Sequence, residues 1–309
     1  MKHMKTMKNV FSLKNVSALV VVMFIFLASC QKDSSVLNSS DTQNVNAESA
    51  SSAYLSEGSD VSASAIGGMS ATQYSGGRTD GTIGGLADRD DRLKCAVVTL
   101  TFTGTIGNPS GKITITFDPT CVDKRGVKRS GTIVINFSGK RWMVGSYFSI
   151  HADFFRNDVH IQGVDSVLTK LDQSATLGYL QFESILMGGK VTFGDGKTIT
   201  RDHDITREWF RASLPVNDEW HTLKGGQATG QCKNGNTYQM LITKDLVHKI
   251  SCLADKVFIP VSGTKVITVT SSSATEQYTV DYGDGTCDNN ITVTLNGKIK
   301  TITVNGEGN

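Results

Sequence analysis

From Leu93 to the end of the chain, apolar and polar residues alternate with a period of two, and this pattern constrains the fold more than any other feature. In the segment 112–117, Ile113, Ile115 and Phe117 fall on one face of an extended chain and Thr114 and Thr116 on the other, as in a strand with one wet face. The same alternation runs through 132–137, 147–154, 237–243, 256–261 and 291–295, where Thr, Ile, Val and Phe dominate. These residues suit a pleated, half-buried surface.

Between the strand segments stand turn signals: Asn157-Asp158, Gly188-Gly189, Asp195-Gly196, Asn234-Gly235, Asp284-Gly285 and Asn296-Gly297. Asn-Gly and Asp-Gly supply the positive φ angles of tight hairpin turns, so successive strands are expected to pair antiparallel. No capped amphipathic helix follows residue 93; the segment 164–171 reads as a short helix or a strand. The expected fold class is all-β, an antiparallel meander of many strands, built as a sandwich or as an open curved sheet.

The first 29 residues read as an address. Lys2, Lys5, Lys8 and Lys14 precede an apolar stretch from Val16 to Ala28, and no acid occurs before Asp33. That stretch falls short of the roughly 20 residues a membrane span needs, so it reads as a signal segment. Leu27-Ala28-Ser29-Cys30 resembles the lipobox of bacterial lipoprotein signal peptides. The resemblance implies removal of residues 1–29 and lipidation of Cys30 with diacylglycerol and palmitate-type chains, which makes a membrane partner through that anchor. Two or three acyl chains hold firmly where one is marginal. Gln31-Lys32-Asp33 resembles a shortened export signal of Bacteroidota lipoproteins, which implies an outer-membrane protein on the cell surface, with the periplasmic leaflet as the alternative.

Residues 30–92 change character. The segment is rich in Ser, Tyr54 and Tyr74 are its only aromatic residues, and neither structural period persists. It is expected to be a disordered tether, with 93–309 as the β-rich domain.

Net charge argues against nucleic acid as a partner. The chain carries 31 Lys plus Arg and 29 Asp plus Glu, too even a balance for gripping a phosphate backbone. Cleavage after Ser29 removes four lysines and no acid, leaving the remainder slightly acidic.

With Cys30 lipidated, Cys95, Cys121, Cys232, Cys252 and Cys287 remain, an odd set in a chain sent to an oxidising space. Proximity in a meander favours Cys95 with Cys121 and Cys252 with Cys287, leaving Cys232 as a free thiol. Zinc would need closer Cys pairs.

Several segments resemble a family of uncharacterised Bacteroidota cell-envelope lipoproteins: 115–135, Thr206-Arg-Glu-Trp, Val247-His-Lys-Ile-Ser-Cys and Asp281-Tyr-Gly-Asp-Gly-Thr-Cys-Asp-Asn, in this order and after a lipobox. The resemblance implies location and a β-rich fold and carries no reaction.

No nucleophile elbow, P-loop or dinucleotide fingerprint is present. The densest ionisable run is 201–209, where Asp202, Asp204 and Glu208 share one strand face and Arg201, His203 and Arg207 the other. Three carboxylates on one face are the raw material of a glycosidase-like hydrolase, against the simpler reading of a solvated strand face. His151, His160, His221 and His248 lack metal-ligand spacing. Asp281, Asp284, Asp288 and Asn289 offer hard oxygens to calcium but depart from the EF-hand order, so ordinary turns are favoured. No cofactor is implied. Trp142, Trp209 and Trp220 are possible binding residues for a glycan or a protein partner, weighed against roles as core anchors. The reading is a non-enzymatic, lipid-anchored envelope protein with a structural or binding role; a glycan-binding surface lipoprotein and an extracellular hydrolase are the alternatives.

Overall fold

The computed structural model describes residues 37, 39–68, 81–82, 86, 90–105, 107–171 and 178–304, all within one compact unit, Val36–Asn309. The signal segment and Cys30 lie outside the described residues.

Among the described residues one α-helix is followed by fifteen strands. Helix α1 (Ser39–Gly68) precedes β1 (Gly81–Thr82), β2 (Ala96–Phe102), β3 (Ser110–Phe117), β4 (Arg129–Ser138) and β5 (Tyr147–Arg156). Then come β6 (Val159–Leu171), β7 (Tyr179–Thr192), β8 (Thr198–Phe210), β9 (Glu219–Thr222) and β10 (Gln227–Gln231). The chain closes with β11 (Thr237–Lys249), β12 (Ser262–Thr270), β13 (Thr275–Asp284), β14 (Asn290–Leu295) and β15 (Lys298–Thr303). All pair antiparallel in one sheet that follows chain order. The short β9 and β10 share one lane between β8 and β11, β10 pairing near one end of each and β9 near the other. The meander expected from the alternation is therefore present, as a single sheet rather than a two-sheet sandwich. Among the described residues β1 pairs only with β2 and β15 only with β14.

Alternation becomes burial as the sequence requires. Ile113, Ile115 and Phe117 of β3 and Ile133, Ile135 and Phe137 of β4 are buried, while Thr116, Lys112 and Asn136 face water. Asn296 and Gly297, at φ 50° and 76°, make the two-residue turn between β14 and β15, the mirror-image turn that strand twist favours.

Two local expectations need correction, and one open alternative is decided. Gly188-Gly189 is no hairpin turn; it lies inside β7, where the register slips between Leu186 and Gly189, so the glycines build a bulge. Residues 256–261 form no strand. They follow a 3-10 turn, Ile250–Asp255, and Pro260 has no N–H to give a ladder, although Val257, Ile259 and Val261 are buried. The segment 164–171 is the end of strand β6.

The largest departure is α1. The segment read as a disordered tether contains a 30-residue helix, and the domain boundary at residue 93 dissolves with it. Val45, Tyr54, Val61 and Ala65 are 0% exposed, and from Thr42 to Gly68 only Gln43 is exposed. Ser, Asn and Gly are poor helix formers, so packing must hold this helix. The helix touches β4, β5, β6, β7, β8 and β15. Strands from opposite ends of the meander therefore meet one rod, which requires the sheet to curl around it.

Helix geometry shows how. Glu48 and Glu57 are nine residues apart, two and a half turns, and so point to opposite sides of α1. Glu48 meets Arg201 of β8 and Lys265 of β12. Glu57 meets Arg129 of β4 and Arg156 of β5. Arg129 and Arg156 are direct register partners, a like-charge pair that would repel without the carboxylate between them.

Candidate functional site

The site is best built outward from α1, because the helix brings carboxylates to cations that the strands hold inside the sheet. Glu48 receives Arg201 Nη1 and Lys265 Nζ at 2.5 Å each. The Glu57 carboxylate receives Arg129 at 2.5 Å and Arg156 at 3.3 Å, and Asp123 takes the other arm of Arg129 at 2.8 Å. Burial raises the pKa of both glutamates, but the neighbouring cations outweigh it and hold both below the usual carboxylate range. The guanidinium of Arg156 also lies 4.4 Å from the ring centroid of Phe258 and 5.3 Å from that of Tyr54, contacts favourable to a desolvated cation.

Towards the C-terminal half of α1, a cavity of about 40 Å³ lies between the helix and β5–β9. Ser59 and Asp60 of α1, Asp165, Ser184 and Arg207 line its polar side, and Trp142, Phe182 and Trp220 its apolar side. Asp165 accepts hydrogen bonds from Ser59 Oγ and from Ser184 Oγ, the latter at 2.8 Å, and Ser184 Oγ lies 3.1 Å from His203 Nε2. Burial raises the Asp165 pKa, opposed by the two hydroxyls and Arg207. Burial, then Arg201 and Arg207, push His203 well below its ordinary value, so it is neutral at pH 7. With the Ser184 hydroxyl directed at Asp165, His203 donates from Nε2 to Ser184.

His203 and Arg207 also line a second cavity of about 40 Å³, walled by Arg201, His248 and Lys265. Nδ1 of His248 is buried there without a hydrogen-bond partner, and burial, Arg207 and Lys265 lower its pKa to about 3. Each cavity has room for a few waters. Ser184 is 3% exposed and its proton is engaged by Asp165, so it is a polar link across the sheet rather than a poised nucleophile.

The three tryptophans, named separately from the sequence, converge. Trp142 lies 5.5 Å from Trp209, and Trp209 stacks on Trp220 at 5.1 Å with 8° between planes. The pairing of Trp209 with Trp220 follows from the β8–β9 register. Arg207 lies 4.5 Å from the Trp220 centroid and Arg211 5.2 Å from that of Trp209, so cations and indoles form one ladder. Phe148 and Phe182 complete the cluster. All three tryptophans are half-buried.

The carboxylates Asp202, Asp204 and Glu208 do share a face, but it is the outer one. Asp202 and Asp204 are exposed, Asp202 accepts from the Gly188 N–H at 2.6 Å and Glu208 from Gln181 at 2.9 Å. The cationic face of the same strand turns inward to meet α1. The loop carboxylates considered for calcium serve their own turns: Asp281 accepts from Gly283 N–H, Asp284 from Thr286 and Asp288 from Asn290. Among the described residues no three His, Cys, Asp or Glu side chains form a group suited to a metal ion.

The cysteines pair as the meander predicts. Cys95 bonds Cys121 and Cys252 bonds Cys287, while Cys232 is free and buried. Glu48, Glu57 and Asp60 of α1, with their partners Arg129, Arg156 and Lys265, were not legible from sequence. The one available signal was the nine-residue spacing of two acids in a Ser-rich run.

No family model matches this chain, and neither does any curated protein sequence or solved structure.

Proposed function

We propose that this protein is a lipid-anchored component of the bacterial cell envelope, attached through Cys30, whose β-rich extracytoplasmic domain has a structural or binding role. The observation that carries the reading is the pair of disulfides, Cys95–Cys121 and Cys252–Cys287, which persist in an oxidising space outside the cytoplasm. Their presence agrees with the signal segment and lipobox of the sequence. The non-catalytic role is supported by the filling of the sheet interior with α1, whose acids pair with the inward cations Arg129, Arg156, Arg201 and Lys265. Growth with labelled palmitate tests the anchor: label should enter the protein and vanish in Cys30→Ser. Label retained by that variant, or absent from the wild type, would remove the anchor from this reading.

A glycan-binding role is the second reading, favoured by the convergence of Trp142, Trp209 and Trp220 beside Asp60, Asp165 and Arg207. Sugars stack on indole faces, whereas Trp209 and Trp220 already stack on one another. Calorimetry with envelope polysaccharides on wild type and Trp220→Ala separates the two readings. A hydrolase built on Asp202, Asp204 and Glu208 is less favoured, since these carboxylates lie along the outer face of β8.

A further inference from the structure

Two loops leave the tryptophan cluster side by side, residues 139–146 between β4 and β5 and residues 211–218 between β8 and β9. At their tips Met143, Val144, Leu214 and Val216 are 48%, 61%, 62% and 52% exposed. Single exposed aliphatic residues are ordinary, but here four lie on two loops that both start at the Trp142–Trp209 contact. Lys140 and Arg211 flank them and are exposed. The single acid of these loops, Asp218, is buried, accepting from Trp209 Nε1 at 2.9 Å and from Ala212 N–H at 2.8 Å. The charge these loops show to solvent is therefore cationic, beside the exposed aliphatics and the neutral Ser213 and Asn217.

The base of the tip is closely packed. Trp142 holds φ at 59°, a left-handed conformation that L-residues with large side chains rarely adopt. Its ring is held among Phe148, Phe182 and Trp209, and Arg141 binds the terminal carbonyls of Ile66 and Gly67 in α1 at 2.8 and 3.1 Å. With Trp142 turned inward, Met143 and Val144 are directed outward. Strain of this kind persists where the surroundings over-determine it and concentrates at functional positions.

We propose that these two loops are a bilayer-contacting tip that inserts Met143, Val144, Leu214 and Val216 among the headgroups of anionic lipid, with Lys140 and Arg211 meeting the phosphates. Charge complementarity, from exposed Lys140 and Arg211 with the one loop acid buried, favours a lipid surface, into which aliphatic side chains can enter without a shaped pocket. The contact does not depend on the acyl chains at Cys30.

Co-sedimentation of the mature chain carrying Cys30→Ser with phosphatidylglycerol–phosphatidylcholine vesicles tests it. Binding should weaken with added salt, and the fourfold variant Met143→Ser, Val144→Ser, Leu214→Ser, Val216→Ser should reduce partition by about tenfold or more. Lys140→Glu with Arg211→Glu should also reduce it. Val144→Trp should strengthen it, a gain that misfolding cannot produce. Failure to sediment with these vesicles, or sedimentation unchanged in the fourfold variant, overturns the proposal. A wild-type dimer in size exclusion that the fourfold variant abolishes overturns it in favour of a second copy of the chain. Neither result bears on palmitate at Cys30, which is read separately.

Discussion

Glu48 of α1 and Lys265 of β12, separated by 217 residues of chain, meet at 2.5 Å with 1% and 2% of their side chains exposed. Arg201 shares the same carboxylate, so one buried anion serves two buried cations.

That asymmetry predicts unequal mutants. Glu48→Gln strands both cations in the interior and should destabilise the fold by about 3–5 kcal/mol, the range for breaking a buried ion pair. Lys265→Met leaves Glu48 and Arg201 as a balanced pair beside an apolar chain of similar length, and should be clearly milder. Urea midpoints measure both; equal losses would contradict the shared-carboxylate account.

Acid should unfold the protein in two stages. His203 and His248 stay uncharged in the fold because burial and neighbouring cations depress them, His248 to about 3. The unfolded chain takes up those protons near pH 6.5, so the stability is present above that pH and is lost as pH falls below it. Glu48 and Glu57, also depressed, add a second loss in the same direction below about pH 4.5, where their unfolded counterparts protonate. Melting temperatures between pH 7.5 and about 2.5 report both stages, and the double variant His203→Gln, His248→Gln should flatten the first while sparing the second.

Thiol chemistry distinguishes the cysteines. Burial pushes the Cys232 thiol up to about 12, so in the Cys30→Ser chain the native protein should be inert to a thiol reagent and the denatured protein should react at one site. Cys95→Ser or Cys252→Ser opens a loop of 26 or 35 residues and should cost about 2–5 kcal/mol.

Gly58 sits in the middle of α1, where an added Cβ would lie 3.6 Å from Ala152 and 3.7 Å from Phe154, ordinary contact distances. Gly58→Ala should therefore stabilise the protein by roughly 0.5–1 kcal/mol through backbone entropy and helix propensity. A lower urea midpoint in this variant would mean that the helix cannot accept even a methyl group at the sheet.

The sheet was legible because its information is local: alternation puts Ile113 and Ile115 inside, and Asn296-Gly297 makes its turn without help from the rest of the chain. The disulfides followed, since neighbouring strands of a meander bring Cys95 to Cys121 and Cys252 to Cys287. Helix α1 was not legible because what stabilises it is distant. Taken alone, Glu48 and Glu57 look like solubilising charges in a Ser-rich run, and only the cations of β4, β5, β8 and β12 reveal them as interior residues. Parity placed Arg201 and His203 on one face of β8, but which face turns inward depended on that same helix. The tryptophans were visible one by one; their stacking needed the β8–β9 register.

The two-sided grip on α1 also sets an order of events for a chain made from its N-terminus onward. Among the described elements the helix is the first synthesised, and its ion pairs come late, because Glu48 finds Arg201 only after β8 has emerged and Lys265 only after β12. Contacts so remote in sequence make folding slow. A segment of low intrinsic helicity has little reason to be helical until those partners arrive. Strand pairing can run ahead along the meander, and the closing of the sheet on α1 becomes a check that the whole polypeptide has arrived.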